Sequence, residues 1–214
     1  YNSFLIHIST DEVYGESMID VSEKHKTEQS ILCPTNPYAA TKAGAELIAQ
    51  SYNHSFGMPI IVTRGNNVYG PNQYPEKLIP RFIELLKADK PVTIQGDGSC
   101  VRAFLHSEDT AAAFIKILQK GIIGEIYNIG GNKSIKVGNV LKKLVKFANK
   151  KIVCKTNKKL LRTKDVTLQI PSTMKFRSHT KWKTKTSLDY SLMNLLNEFR
   201  KFSNMPEVES HSRY

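Results

Sequence analysis

The chain has 214 residues, 40% of them hydrophobic and 23% charged, which is ordinary for a globular protein and enough to bury a core as one domain or one domain with an appendage. No run approaches the ~18 apolar residues of a membrane span and no signal peptide is visible, so no membrane partner and a cytoplasmic location are expected. The net charge of +12 is uneven, −3 over residues 1–132 and +15 over residues 133–214, so any anion-binding surface belongs to the C-terminal part; nucleic acid is not the expected partner. Cys33, Cys100 and Cys154 are too few and too scattered for a disulfide framework or a zinc pattern, so reduced structural thiols and no metal are expected.

In chain order, residues 4–9 form a nearly continuous apolar run, predicting a strand buried on both faces. Residues 16–35 are polar and acidic without a period and read as a loop. Asn36-Pro37 opens a helix with Pro near its first position, and Gly57 and Pro59 end it. A second buried strand is predicted over 59–63 and a helix over 77–87. Short strands over 92–95 and 101–105 flank the turn Gly96-Asp97-Gly98-Ser99. Ser107 is predicted to cap a helix reaching Lys120, followed by a strand over 125–129 and a helix over 137–148. Residues 155–185, rich in Lys and Thr, are assigned no structure, and a last helix is predicted over 188–202. Alternating strands and helices indicate an α/β fold with a largely parallel sheet.

The chemically informative residues are Ser9-Thr10-Asp11-Glu12-Val13-Tyr14-Gly15, followed by Tyr38 and Lys42. Tyr38 and Lys42 are four apart on a helix and share a face, where an ammonium favours the phenolate. Such a Tyr takes the proton from a sugar hydroxyl while hydride leaves the same carbon. Asp11 and Glu12 supply an acid and a base, as eliminating water from a keto sugar requires. The carboxyl ends of parallel strands are where such folds bind ligands.

These residues, with Asn36-Pro37-Tyr38-Ala39-Ala40-Thr41-Lys42-Ala43, Arg64-Gly65-Asn66-Asn67-Val68-Tyr69-Gly70-Pro71, Pro75-Glu76-Lys77-Leu78-Ile79-Pro80 and Tyr127-Asn128-Ile129-Gly130-Gly131, resemble the extended short-chain dehydrogenase/reductases of the NAD-dependent epimerase/dehydratase type, and among them the dTDP-glucose 4,6-dehydratases. The resemblance covers roughly residues 4–132. It implies an NAD cofactor, a nucleotide-sugar substrate and a homodimer paired through the helix bearing Tyr38. It implies that Thr10 bonds the sugar's 4-hydroxyl, Asp11 is the acid for the leaving water, Glu12 is the base at C5, Tyr38 deprotonates the 4-hydroxyl, and Lys42 holds the nicotinamide ribose and tunes Tyr38. Asn67, Glu76, Lys77, Leu78, Arg102 and Asn128 are the implied substrate-binding residues. UDP-sugar 4-epimerases and decarboxylases resemble the chain as well, but elimination alone uses both carboxyls.

The family's Gly-rich fingerprint has no match here, and there is no initiating Met. The resemblance therefore implies a fragment: the C-terminal part of a doubly wound Rossmann-like sheet with a small α/β substrate lobe, lacking the N-terminal half of the dinucleotide-binding domain. On this reading residues 1–150 form a partial NAD-binding domain with interleaved substrate-binding segments, and residues 151–214 a basic segment, diverged or poorly structured. The expected activity is that of a nucleotide-sugar 4,6-dehydratase, a carbon–oxygen lyase, with no turnover by the isolated chain. The rival is a non-enzymatic truncated product whose basic tail binds anions.

Overall fold

A computed structural model describes residues 3–15, 26–131, 133–152, 154–157 and 171–202. Strands β1 (Leu5–Thr10), β2 (Ile60–Gly65) and β6 (Ile126–Ile129) form a parallel sheet in the order β1-β2-β6. The register sets Thr10 opposite Gly65 and Gly65 opposite Ile129. All three strands therefore end at one level, and the next residues, Asp11, Asn66 and Gly130, fall side by side along that edge. This single fact of register positions the site.

The expectation that the first strand is buried on both faces is corrected. Phe4, Leu5 and Ile8 are 42%, 48% and 56% exposed, and only Ser9 and Thr10 of the strand are buried. Among the described strands β1 pairs with β2 alone, so an apolar run reports burial that this edge strand does not have.

Helix α1 (Pro37–Phe56) starts where predicted: the Asn36 side chain accepts from Ala39 N at 2.8 Å, and Gly57 ends it in the left-handed conformation at φ 64°. Ala39, Ala43, Glu46 and Ala49 face inward, while the larger Leu47, Ile48, Tyr52 and Phe56 face out. Small side chains let the helix lie close against β1 and β2.

A second sheet holds β3 (Asn67–Tyr69) parallel to β5 (Val101–His106), with β7 (Ser134–Lys136) antiparallel to β5. A further parallel pair joins β4 (Val92–Gln95) to β8 (Cys154–Asn157). Helices α2 (Leu78–Lys87), α4 (Val137–Ala148) and α6 (Leu188–Phe202) enclose one core, built on Ile83, Leu86, Val140, Leu144, Leu192 and Leu195. Helices α3 (Ser107–Lys120) and α5 (Met174–Thr180) help enclose another, with Ile117, Tyr127, Phe176 and Trp182 buried together. Each such buried side chain contributes about 1.5–3 kcal/mol.

The structured course of the chain thus continues through α6. Of residues 155–185, which lacked a readable period, the structure forms the end of β8 and α5, while 158–170 lie outside the described residues, as do 16–25 of the predicted loop. The cap of α3 also differs from expectation: His106 Nδ1, not Ser107, accepts from Glu108 N at 3.4 Å, and Ser107 is the first helical residue. No described helix is long and apolar enough to cross a membrane.

Beneath the strand ends lies a buried polar network. Arg64 Nε and Nη2 donate to Glu46 Oε2 at 3.0 and 2.7 Å, and Nη1 donates to Tyr14 Oη at 2.8 Å. Tyr14 Oη donates to Asn128 Oδ1 at 2.7 Å, and Asn128 N donates to Glu28 Oε1 at 2.9 Å. The guanidinium carbon also stands 4.8 Å from the Tyr14 ring centre. This network ties β2, α1, β6 and the segment before α1 to the residues that follow β1, and each link is a satisfied buried group.

Candidate active site

Thr10 ends β1 and caps a one-turn 3-10 helix (Asp11–Tyr14), accepting from Glu12 N at 3.3 Å. Gly15 closes that turn at φ 66°, and a Cβ there would stand 1.8 Å from the Cys33 carbonyl oxygen, so only glycine lets residues 26–35 pack against the turn. The tight turn sends the two adjacent carboxylates in different directions. Asp11 is buried: Asn66 Nδ2 donates to its Oδ2 at 2.7 Å, and Thr10 Oγ1 lies 3.4 Å from its Oδ1. Glu12 is half-buried, and its Oε2 accepts from Asn36 Nδ2 at 3.0 Å. Asn36 uses both ends of one amide, the oxygen to cap α1 and the nitrogen to hold Glu12.

Burial pushes the Asp11 carboxyl up to about 7; the neighbouring Glu12 charge adds to the rise, while the bonds from Asn66 and Thr10 and the Arg102 charge oppose it. Asp11 therefore holds or releases a proton near neutrality. Tyr38, in the first turn of α1, is 52% exposed and bonds to Thr10. Its phenol corrects one expectation. Burial and the charges of Glu12 and Asp11 raise it above its ordinary value, with the Thr10 bond opposing. Lys42 Nζ instead donates to the Ile8 carbonyl at 3.0 Å, across the end of β1.

The structure gathers Thr10, Asp11, Glu12, Tyr38 and Lys42 around one strand end. Asn67, Glu76, Leu78 and Arg102 meet in an adjacent cavity of about 390 Å³. Cys100, Arg102 and Phe104 line it from alternate positions of the β5 segment, and Asn67 is the register partner of Phe104. The charge of Arg102 is felt at Asp11, which links cavity and strand end.

Two expected substrate residues stand elsewhere. Lys77 is the exposed residue before α2 and is not among the cavity's walls. Asn128 is fully buried: its amide donates to the Ser172 carbonyl at 3.1 Å and accepts from Tyr14, so it braces the fold. Conversely, sequence reading assigned no role to Asn66 or to the side-chain amide of Asn36. Both were visible as polar residues beside the motif, but their partners are 55 and 24 residues away.

Parallel strands ending at one level, with an acid, a second carboxylate, a phenol and an ammonium at that edge, define a Rossmann-like α/β protein with a strand-end site. The GDP-mannose 4,6 dehydratase family model matches residues 2–194, and the chain belongs to that family. It is 53% identical over 145 residues to the trifunctional UDP-glucose 4,6-dehydratase/UDP-4-keto-6-deoxy-D-glucose 3,5-epimerase/UDP-4-keto-L-rhamnose-reductase of Arabidopsis thaliana, covering 68% of this chain and 22% of that protein. It is 48% identical over 142 residues to human dTDP-D-glucose 4,6-dehydratase, covering 66% of this chain and 39% of that protein. The crystal structure of dTDP-glucose 4,6-dehydratase from Bacillus anthracis in complex with NAD superposes with a TM-score of 0.84 at 33% identity, over 92% of this chain and 62% of that one. The chain thus spans about a fifth to two fifths of the length of these two curated relatives.

These findings correct the reading of the chain as a fragment that keeps only the C-terminal part of a Rossmann-like sheet and lacks half of its dinucleotide-binding domain. The likeness takes in residues 2–194, well past the 4–132 of the motifs, and the Rossmann-like α/β fold covers nearly the whole chain.

Proposed function

We propose that this chain carries the reacting side chains of an NAD-dependent nucleotide-sugar 4,6-dehydratase that converts a nucleoside-diphosphate glucose, dTDP-glucose foremost, to its 4-keto-6-deoxy form. One observation carries the reading: two adjacent carboxyls at one strand end, one buried and titrating near 7, the other half-buried and held by Asn36. Elimination needs an acid for the departing hydroxyl and a base at C5; epimerisation at C4 needs only the group that takes and returns the 4-hydroxyl proton.

The cofactor of this reading is NAD, which the Bacillus anthracis enzyme holds. The residues of this chain fit its nicotinamide–ribose end, because Tyr38 and Lys42 stand one helical turn apart over the end of β1, beside the exposed apolar Ile8. Bound there, NAD supplies hydride acceptance from C4 and hydride return to C6. Tyr38 takes the 4-hydroxyl proton, aided by its bond with Thr10. Glu12 takes the C5 proton as Asp11 gives its own to the C6 hydroxyl. The C6–O bond breaks, water leaves and a C5–C6 double bond forms. Glu12 then returns its proton to C5. Arg102 and Asn67, in the adjacent cavity, suit the diphosphate as cation and amide donor. The outward apolar residues Leu47, Ile48, Tyr52 and Phe56 support pairing of two copies through α1.

Incubating the protein with NAD and dTDP-glucose or UDP-glucose, and reading the product by mass and proton NMR, tests the proposal. Loss of water with a new C6 methyl is expected. Tyr38→Phe lowers that rate by about a hundredfold or more with an unchanged unfolding midpoint. A product that keeps its 6-hydroxyl and is inverted at C4 would establish an epimerase instead.

A further inference from the structure

Asn66 belongs to none of the roles assigned so far, yet the fold holds its amide 2.7 Å from the acid. Its backbone N–H donates to the Ile129 carbonyl at 3.0 Å, continuing the β2–β6 ladder one step beyond the strands. Its side chain then passes over Gly130, where a Cβ would stand 1.5 Å from Asn66 Oδ1 and 2.7 Å from its Cγ. The amide fills the space that glycine leaves, and that leaves Nδ2 aimed at Asp11 Oδ2, 2.7 Å away in a buried setting.

An amide N–H must donate, so the oxygen it meets must accept. A protonated carboxyl has one oxygen that donates and one that accepts. The ionised Asp11 accepts at both oxygens, from Asn66 at Oδ2 and from Thr10 Oγ1 at Oδ1; a hydroxyl can turn to accept but an amide N–H cannot, so on protonation the proton belongs on Oδ1, the oxygen that faces Thr10 and, beyond it, Tyr38. We propose that Asn66 is a positioning residue for water elimination: wedged over Gly130, it holds Oδ2 of Asp11 and directs the acid's proton to Oδ1, on the side of the departing hydroxyl. The inference rests on the dehydratase reading for its chemistry and on geometry alone for the Asn66–Asp11 coupling. The step balances as written above: the Oδ1 proton and the C6 hydroxyl leave together as water, and the C–H electron pair freed at C5 forms the double bond.

Two readouts on the intact protein test this, one without substrate. Asp11 is titrated by infrared or carbon-13 NMR, its signal identified by its loss in Asp11→Asn. Asn66→Leu removes a bond that favours the carboxylate, and the midpoint rises by about one unit. Gly130→Ala leaves the amide chemically intact but displaces it, and moves the midpoint the same way. In the second readout, mixing with NAD and the nucleotide sugar, both variants oxidise C4 at the parental rate and then stall, so the absorbance of reduced nicotinamide accumulates while elimination slows by about tenfold to a hundredfold with KM unchanged. An Asp11 titration identical to the parent's in both variants overturns the coupling. A slowed oxidation step with no accumulation of reduced nicotinamide overturns the positioning role. If the parental protein with NAD eliminates no water, the dehydratase reading fails and the titration alone still decides the coupling; if Asp11→Asn eliminates water at the parental rate, Asp11 is not the acid and the positioning role is overturned.

Discussion

Tyr14 and Tyr38 both lie within reach of the end of β1, and they live in opposite surroundings. Tyr14 is 1% exposed, accepts from Arg64 and donates to Asn128. Tyr38 is half exposed, with the Thr10 bond opposing the rise that burial and two carboxylates impose on its phenol. The same contrast separates Glu46, locked to a guanidinium, from Asp11, whose carboxyl accepts from the Asn66 amide and the Thr10 hydroxyl. One region has its charges matched and rigid; beside it, the other keeps an acid able to change protonation near neutrality. The matched network is what permits the mismatched one, because a carboxyl held near 7 in a buried site needs surroundings that do not relax around it.

The severest way to break the contrast is Arg64→Leu. It strands Glu46 as an uncompensated buried charge, and destabilisation of about 3–5 kcal/mol is expected from urea unfolding. A loss below about 1 kcal/mol would show that the network is no more rigid than a surface pair.

The next effect sharpens the contrast through pH. The folded-state value of Asp11 lies near 7 against an ordinary 3.8, so the native state holds this proton more tightly than the unfolded chain. The resulting stabilisation is fully present below about pH 4 and fades as pH rises through 7, up to about 4 kcal/mol in all. Asp11→Asn removes that slope. The check is the difference in unfolding free energy between the two proteins, measured from pH 4 to 8; a pH-independent difference would mean that Asp11 is an ordinary carboxylate.

The smallest effect falls on the boundary between the regions. Asn36→Ala removes the α1 cap and the Glu12 partner together, costing about 1 kcal/mol in thermal unfolding. Because Glu12 is then released, turnover drops more than the stability loss alone explains, by about tenfold. A variant that loses the stability and keeps full turnover would confine Asn36 to capping.

Much was legible in the chain itself. Asn36-Pro37 and Gly57 bracket α1 because capping and left-handed termination are local, and the α/β alternation follows from periodicity. The motif Thr10-Asp11-Glu12 with Tyr38 and Lys42 named the groups at the strand end, since each type carries its own proton chemistry. What tertiary structure alone decided is which of these groups face one another. That β1, β2 and β6 end level is a property of register between strands some 50 to 120 residues apart, and it alone brings Asp11, Asn66 and Gly130 together. It also decided that Asn128 braces the fold, that Lys42 meets a backbone carbonyl, and that an apolar β1 is, among the described strands, an exposed edge. Residue type and local spacing determine what a side chain can do; burial, register and the identity of a distant partner determine whether its proton is held, and none of these is a local property of the sequence.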